Sequence, residues 1–170
     1  PIMLIIAIAI KAYDHGPVFY RQVRLTRGGK QFMIYKFRSM RIDAEAHGAQ
    51  LAKKDDDRIT PVGKVLRNLH LDELPQLFNV FAGDMSMVGP RPILRQELEE
   101  HYTREEQELL LSVKPGLTGY WQAYARNNAS YETGKRQEME LAYAENAGLL
   151  WDIKILFQTV EAVIRKQGVK

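Results

Sequence analysis

Residues 18–35 read VFYRQVRLTRGGKQFMIY and contain two strand-like runs. The first run is Val18-Phe19-Tyr20, the second is Phe32-Met33-Ile34-Tyr35, and Gly28-Gly29 lies between them. A glycine pair between two apolar runs is typical of a hairpin turn. The stretch therefore predicts a short β-hairpin.

Helical spacing of apolar residues dominates the rest of the chain. It extends over residues 62–69 and 74–81, and Gly83 is a natural stop for the second of these helices. Residues 93–113 predict one or two helices, and residues 149–165 predict a closing helix. Several helices around one hairpin predict a small α/β domain of the α+β type.

The closing helix carries an apolar stripe along one face. Its members are Leu149, Ile153, Leu156, Val160, Val163 and Ile164. Such a stripe packs on a protein core in many helices, and in others it lies in a membrane surface. Both interpretations stay open for this helix.

Length and composition fit an ordinary globular domain. The chain has 170 residues, of which 45% are apolar and 26% are charged, and this size is enough to bury a core. The absence of cysteine excludes disulfide scaffolds, thiolate metal sites and cysteine nucleophiles. The four histidines lie far apart in the sequence and form no H-E-x-x-H pair, which argues against a zinc enzyme.

The first ten residues are almost wholly apolar and are followed by Lys11. A helix needs about 20 apolar residues to span a bilayer, so this segment is too short to cross alone. It also lacks the basic start and the cleavage site of a signal peptide. It is therefore a core helix, a re-entrant or interfacial segment, or the end of a longer membrane helix. Because the chain begins with Pro1 rather than methionine, we expect it to be part of a longer protein.

The net charge of +3 conceals a concentration of cations between residues 20 and 41. No acidic residue interrupts this stretch, and its cations are Arg21, Arg24, Arg27, Lys30, Lys36, Arg38 and Arg41. Phosphate groups, anionic lipid headgroups or nucleic acid would suit such a block. For an isolated run of charge, a solvated basic face is usually the better interpretation.

The adjacent acids Asp72 and Glu73 precede Pro75. Because proline fits only the first turn of a helix, Pro75 places both acids at or beside a helix N-terminus. The helix dipole there favours ionised carboxylates. Two adjacent carboxylates can hold a hard cation such as Mg²⁺, and an ionised aspartate attacks phosphorus in aspartyl-phosphate enzymes. Helix capping by acids is the alternative, and these residues alone favour it.

Five motifs that occur in order along the chain change this balance. They are GPVFYRQ at 16–22, YKFRSM at 35–40, DELPQLFNV at 72–80, GDMSMVGPRP at 83–92 and KPGLTG at 114–119. With the segment WDIK at 151–154, they resemble the bacterial sugar transferase family, the monotopic polyprenyl-phosphate phosphoglycosyl transferases. The resemblance covers nearly the whole chain.

The resemblance implies an Mg²⁺-dependent enzyme of glycoconjugate assembly. Members of the family transfer a sugar 1-phosphate from a UDP-sugar to a polyprenyl (undecaprenyl) phosphate and release UMP through a covalent aspartyl-phosphosugar intermediate. This transfer is the first membrane step in making capsule, exopolysaccharide, O-antigen or glycoprotein glycans. The segment at 120–146 is expected to help choose the sugar.

The resemblance also assigns roles to individual residues. Asp72 would be the nucleophile, Glu73 would help hold Mg²⁺ or manage protons, and the two acids together would be the metal ligands. The substrate-binding residues would be Lys36, Arg38, Arg67, Arg91 and Asp152. Arg91 stands between two prolines, which would hold it stiffly enough to fork onto a phosphate.

Family members are anchored by a re-entrant helix that is broken at a Ser-Pro pair. Residues 1–14 would be the second half of that helix and residues 15–170 the catalytic domain, at the cytoplasmic face of the bacterial inner membrane. The apolar segments 2–10 and 149–164 would seat the domain on anionic headgroups. Their flanking cations are Lys11, Lys154, Arg165 and Lys166. Expected partners are a UDP-sugar, polyprenyl phosphate and the membrane surface, with a homodimer as a further candidate and no nucleic acid.

One position departs from the family pattern, and two rival functions compete with the transferase. His70 stands where the family often has a serine or threonine able to cap the following turn. One rival is a nucleic-acid-binding module that uses the basic stretch and its interleaved aromatic residues. The other is an inactive membrane-docking or assembly module that keeps the fold. Release of UMP from UDP-sugars would separate the transferase from both.

Overall fold

The computed structural model describes residues 1–44, 56–125 and 129–165. Residues 43–57 are mostly polar, which predicts an exposed loop, and most of this stretch lies outside the described residues. The same is true of Lys166 and of positions 126–128 of the segment expected to choose the sugar. The chain divides into two compact units. The first unit consists mainly of Pro1–Arg21 and Tyr35–Gln76, and the second of Gln22–Ile34 and Leu77–Gly168.

The predicted hairpin is confirmed and is longer than its apolar runs. Strand β1 (Phe19–Leu25) pairs with strand β2 (Gln31–Phe37) in a two-stranded sheet. Gly28 and Gly29 both have positive φ, 73° and 72°, and therefore reverse the chain without steric cost. The base of the hairpin belongs to the first unit and its tip to the second.

The first unit packs two helices around the base of the hairpin. Helix α1 (Ile2–Asp14) and helix α2 (Pro61–Asn68) share an apolar core whose buried residues are Ile6, Ile10, Phe37 and Leu66. Helix α2 confirms the helical spacing predicted at 62–69. At its start, Thr60 Oγ1 accepts a hydrogen bond from Gly63 N at 2.9 Å and Pro61 occupies the first turn. Beyond the core, α1 leaves apolar residues exposed, namely Ile2, Leu4, Ile5 and Ile8.

The second unit is mostly helical. Its helices are α3 (Gln76–Ala82, which begins at the last residue of the first unit), α4 (Arg95–His101), α5 (Arg104–Leu110), α6 (Tyr120–Tyr124), α7 (Lys135–Asn146) and α8 (Leu149–Ile164). Helix α3 ends before Gly83, as predicted. The stretch 93–113 forms two helices because Thr103 begins a new one. Its hydroxyl accepts from Glu106 N, and Glu106 Oε2 accepts from Thr103 N at 2.8 Å.

Two short parallel strands were not predicted from the sequence. Strand β3 (Ser86–Val88) pairs with strand β4 (Gly116–Thr118), with Ser86 opposite Gly116. A Cβ atom on Gly116 would lie 2.1 Å from Gly89 N, so the backbones meet where only glycine fits. This contact joins the glycine-proline motif at 83–92 to the one at 114–119.

Most of the apolar stripe of α8 is exposed. Ile155 and Ala162 are the buried residues of this helix, whereas Leu149 and Ile164 are each 75% exposed and Val160 is 58% exposed. Leu156 is the member of the stripe that packs against an apolar cluster of the second unit, so core packing accounts for only part of the stripe. Within the part of the chain that the structure describes, no helix is both long enough and apolar enough to cross a membrane. The mixed α/β class is confirmed, while the re-entrant helix stays a prediction.

Candidate active site

Asp72 and Glu73 lie in a 3₁₀ turn, Leu71–Glu73, that connects α2 to α3. Leu71 and Leu74 pack against the apolar core of the first unit, one on each side of the two acids. Pro75 follows and is fully buried. The acids are therefore held by apolar neighbours in sequence, and both side chains are half-buried.

Lys36 reaches the acidic pair from β2. Its Nζ atom lies 2.9 Å from Glu73 Oε1, in an ion pair whose side chains are 24% and 22% exposed. Both partners are shielded from most of the solvent, so the attraction between them exceeds that of a surface pair. The YKFRSM motif thus supplies a cation to the DELPQLFNV motif.

Arg67 approaches the pair from α2. Its Nε atom donates to Ser39 Oγ at 2.9 Å, which fixes the guanidinium near the end of β2. Gly63 allows this placement, because a Cβ atom there would lie 1.8 Å from the Ser39 carbonyl oxygen. The charges of Lys36 and Arg67 both act on Asp72 and lower its pKa.

Burial nevertheless raises the pKa of Asp72 to about 6, and the negative charge of Glu73 adds to the rise. Lys36 and Arg67 offset only part of this effect. The expectation that a helix N-terminus lowers the pKa of this carboxyl is therefore wrong for Asp72, although a pKa of about 6 still leaves it mostly ionised at neutral pH. The acids lie in a separate turn before α3, and desolvation with like charge outweighs the helix dipole.

The acidic pair fits Mg²⁺ by the chemistry of its donors. The two carboxylates supply oxygen ligands, and their mutual repulsion, visible in the raised pKa of Asp72, is what a divalent cation would relieve. Among residues 1–44, 56–125 and 129–165, no group of three or more His, Asp or Glu side chains could hold a metal ion. A pair suffices for Mg²⁺ when water and substrate phosphates complete its ligands. The magnesium site stays a prediction.

Arg38 is engaged within the protein. It is 7% exposed, its guanidinium forms a two-pronged ion pair with Asp14, and its Nε donates to the Pro17 carbonyl at 2.6 Å. These contacts tie the end of α1 to the end of β2. They favour a structural role for Arg38, and its predicted role in substrate binding stays untested.

Arg91 and Asp152 belong to the second unit. The Arg91 guanidinium lies 6.0 Å from the centre of the Trp121 ring. Asp152 Oδ1 accepts a 2.7 Å hydrogen bond from the hydroxyl of Tyr143. The structure thus brings Asp72, Glu73, Lys36 and Arg67 together in the first unit. Of the other three predicted residues, Arg38 is bound to Asp14, and Arg91 and Asp152 lie in the second unit.

Other cations of the basic stretch 20–41 are also paired with acids. Arg24 contacts Glu97 at 3.2 Å, and Arg41 contacts Asp43 at 2.8 Å. With Lys36 and Arg38, four of the seven cations lie in ion pairs. Much of the positive charge of this stretch is therefore balanced by neighbouring acids.

A buried polar network in the second unit was missed by the sequence analysis. Glu140 is 1% exposed and accepts hydrogen bonds from Tyr102 (2.9 Å) and Arg136 (3.3 Å). The Arg136 guanidinium also lies over the rings of Tyr131 and Trp121. The four-residue spacing of Arg136 and Glu140 would have predicted a helical ion pair. This spacing does not indicate whether the pair is exposed or buried. Burial raises the pKa of Glu140 although Arg136 opposes the rise.

A turn that carries two carboxylates between two cations, in a mixed α/β protein, is suited to chemistry on phosphate groups. Comparison with known proteins agrees with this class. The family model described as bacterial sugar transferase matches residues 1–166. Together with relatives that are about 40% identical over the whole length of this chain, this match shows that the chain belongs to the bacterial sugar transferase family.

Three relatives illustrate the family. The chain is 41% identical over 175 residues to the UDP-N-acetylgalactosamine-undecaprenyl-phosphate N-acetylgalactosaminephosphotransferase of Aeromonas hydrophila, an alignment that covers 100% of this chain and 41% of the relative. It is 41% identical over 188 residues to the undecaprenyl-phosphate galactose phosphotransferase of Salmonella typhimurium, and this alignment covers 98% of this chain and 39% of the relative. It is 39% identical over 183 residues to the exopolysaccharide production protein ExoY of Rhizobium meliloti, and this alignment covers 99% of this chain and 79% of the relative. The chain thus spans less than half the length of the first two relatives.

Proposed function

We propose that the chain transfers a sugar 1-phosphate from a UDP-sugar to a polyprenyl phosphate, undecaprenyl phosphate in particular, and releases UMP. This reaction would begin the assembly of a glycoconjugate such as capsule, exopolysaccharide, O-antigen or a glycoprotein glycan. The observation that carries the proposal is the half-buried Asp72–Glu73 pair with Lys36 2.9 Å from Glu73. The names of the Aeromonas and Salmonella relatives, both undecaprenyl-phosphate sugar phosphotransferases, support the substrate class.

In the first step, a carboxylate oxygen of Asp72 attacks the phosphorus that bears the sugar. A bond forms between that oxygen and phosphorus, and the bond from phosphorus to the bridging oxygen of the diphosphate breaks. The electron pair leaves with UMP. With a pKa of about 6, Asp72 is mostly ionised at neutral pH and is therefore ready to act as the nucleophile.

In the second step, a phosphate oxygen of the polyprenyl phosphate attacks the same phosphorus. The bond between Asp72 and phosphorus breaks, and the carboxylate is restored. The product is a polyprenyl diphosphosugar, so all atoms of the transferred sugar phosphate are accounted for. The covalent intermediate lets one site serve a water-soluble donor and a lipid acceptor in turn.

Cations of the chain would balance the charge of the diphosphate. Lys36 and Arg67 already act on Asp72 in the first unit. Arg38, Arg91 and Asp152 complete the proposed substrate-binding set, with Arg91 offering two parallel N–H donors to a phosphate. Asp72 and Glu73 would hold Mg²⁺, which when bound supplies positive charge to the reacting phosphates.

The proposed reaction requires contact with a membrane, because polyprenyl phosphate is a lipid. We propose that residues 1–14 are the second half of a re-entrant helix and that residues 15–170 form the catalytic domain at the cytoplasmic face of the bacterial inner membrane. Support comes from the apolar residues that α1 and α8 leave exposed, such as Leu4 (65%) and Leu150 (78%). A homodimer is a further candidate, and no nucleic-acid partner is proposed.

A UMP-release assay with a covalent-trapping arm tests the proposal. The chain is incubated in detergent with Mg²⁺, undecaprenyl phosphate and a panel of UDP-sugars, and UMP is quantified. When the lipid is omitted, the protein should accumulate a covalent adduct, and its mass should increase by that of one sugar phosphate. Asp72→Asn should abolish both signals, whereas Asp57→Asn, an exposed acid of the first unit, should keep both. Equal UMP release from Asp72→Asn and the wild type would overturn the role of Asp72.

A further inference from the structure

Tyr143 is a buried tyrosine whose hydroxyl joins two segments of the second unit. The residue lies on α7 and is 4% exposed, and its ring packs in an apolar cluster with Val88, Ala123 and Ile155. The ring also lies 5.6 Å from the ring of Trp151. These contacts fix the ring, so the position of the hydroxyl is set by the core.

The hydroxyl contacts two acceptors. It lies 2.7 Å from Asp152 Oδ1 on α8 and 3.2 Å from the carbonyl oxygen of Val88. Burial and the bond to Asp152 raise the pKa of Tyr143 above its ordinary value. The phenol therefore stays protonated and acts as a donor. The shorter distance to the charged acceptor marks the contact with Asp152 as the stronger of the two.

Val88 is the last residue of β3, and the loop that carries Arg91 follows it directly. Two backbone hydrogen bonds hold this loop, from Gly89 N to the Thr118 carbonyl (2.9 Å) and from Gly116 N to the Pro90 carbonyl (2.8 Å). The hydroxyl of Tyr143, whose single proton is shared between Asp152 and the Val88 carbonyl, adds a weaker third attachment at the start of the same loop. The Asp152 carboxylate and the Val88 carbonyl, which precedes the loop that carries Arg91, therefore contact the same hydroxyl.

We infer that Tyr143 is a positioning residue that fixes the position of the Asp152 carboxylate relative to the loop that carries Arg91. The inference deepens the proposed function, on which its effect on activity rests. Reactions that depend on oriented groups lose rate steeply when a group moves by about 1 Å. Tyr143→Phe removes only the hydroxyl and keeps the ring in its cluster. It should therefore lower the rate of UMP release about tenfold, the effect of losing one hydrogen bond to a charged group.

A double-mutant cycle with Asp152→Ala tests whether Tyr143 acts through Asp152. If it does, Tyr143→Phe has no further effect on UMP release once Asp152 has been replaced. A residue that merely stabilises the fold would give effects that multiply. Ser112→Ala, which removes a hydroxyl from an exposed serine of the same unit that donates to the nearby Leu109 carbonyl, is the control and should leave the rate unchanged.

Hydrogen exchange measured by mass spectrometry provides a readout that does not depend on activity. Tyr143→Phe should raise deuterium uptake in the peptide that covers residues 88–93, and Ser112→Ala should not. Unchanged uptake in Tyr143→Phe overturns the inference, and so does a wild-type rate or a multiplicative cycle. If the wild-type chain releases UMP from no UDP-sugar, the proposed function fails, and the exchange experiment still decides whether Tyr143 holds the loop.

Discussion

Lys36 Nζ lies 2.9 Å from Glu73 Oε1, and this contact joins β2 to the turn that carries Asp72. The two residues are separated by 37 positions in sequence. Their contact gives a physical reason for a lysine near the end of β2, because its charge faces two half-buried carboxylates that repel one another. Lys36 therefore contributes both to the shape of the turn and to the charge balance around Asp72.

Replacing Lys36 with methionine keeps the length of the side chain and removes its charge. We expect Lys36→Met to lower UMP release by about 10- to 100-fold, since one charged hydrogen bond is lost and Glu73 loses its partner. The pKa of Asp72 should rise further, because Lys36 now lowers it. The measurement is the initial rate at saturating Mg²⁺. Lys64→Met, at an exposed position of α2, is the control, and equal rates for the two variants would contradict the role of Lys36.

In the metal-free protein at neutral pH, the Asp72 carboxylate should lower the free energy of unfolding. Its pKa rises from 3.8 to about 6 on folding, so the folded state binds the proton more tightly than the unfolded state does. Stability is therefore undiminished below pH 4 and falls as the pH rises towards 6. Above pH 6 the loss reaches about 2–3 kcal/mol, from about 1.4 kcal/mol per pKa unit.

Asp72→Asn removes this titration. In EDTA at pH 7.5, we expect the variant to unfold at a temperature several degrees above the wild type, and at pH 4 the two proteins should unfold at nearly the same temperature. Thermal unfolding followed by circular dichroism checks both points. A variant that is less stable than the wild type at pH 7.5 would show that the carboxylate stabilises the fold instead.

The ion pair of Asp14 and Arg38 should have the opposite pH dependence. The hydrogen bond from Arg38 holds the pKa of Asp14 down at about 2, against an ordinary value of 3.8. The stabilisation is complete above pH 4 and is lost as the pH falls towards 2. Because solvent screens this partly exposed carboxylate, Asp14→Asn should lower the free energy of unfolding by about 1 kcal/mol at pH 7 and by much less at pH 2. Denaturant unfolding at the two pH values measures the difference.

The same pair decides the role of Arg38. If Arg38 is structural, Arg38→Met lowers the unfolding temperature, while the folded protein keeps its KM for the UDP-sugar at 15 °C. A KM that rises tenfold or more in fully folded protein would instead place Arg38 against the substrate.

Local features of this fold could be predicted from the sequence, and contacts between distant segments could not. The Gly28-Gly29 turn and the helix that starts at Pro61 depend on neighbouring residues, and both were predicted. The ion pair of Arg38 with Asp14 joins positions that are 24 residues apart. Nothing in the KFRS segment itself indicates that its arginine is already bound.

The parallel pair of β3 and β4 illustrates the same limit. Each strand has only three residues, too few to show the alternation that marks a strand. Likewise, the motif located Asp72, but the pKa of its carboxyl group depends on burial and on Lys36 and Arg67. The sequence therefore identified Asp72 as a candidate nucleophile, but it did not predict the electrostatic environment that sets the pKa of this residue.

Gly63 should tolerate no side chain. A Cβ atom there would lie 1.8 Å from the Ser39 carbonyl oxygen, so Gly63→Ala must push α2 away from the segment after β2. We expect a loss of at least 3 kcal/mol in stability, and reduced activity in whatever protein folds, because Arg67 would move with the helix. Lys64→Ala at the next, exposed position is the control. Comparable denaturation midpoints for these two alanine variants would contradict the close approach.

The exposed apolar face of α8 predicts how the protein binds membranes. Leu150 and Phe157, seven residues apart on one helix, are 78% and 74% exposed. Lys154 lies on the same helix, and Arg165 follows its end. Apolar residues with neighbouring cations are typical of a helix that lies in the surface of an anionic membrane.

We therefore expect the chain to co-sediment with phosphatidylglycerol vesicles and to be removed only in part by high salt. Salt screens the contribution of the cations, about 1 kcal/mol for each one near the surface, but it leaves apolar burial intact. Because burial of a large apolar side chain contributes about 2 kcal/mol, replacing Leu150 and Phe157 together with glutamine should weaken binding by more than tenfold. Val65→Gln, at an apolar residue of α2 that is 56% exposed, should leave binding unchanged. Wild-type binding by the double variant would show that α8 does not contact the membrane.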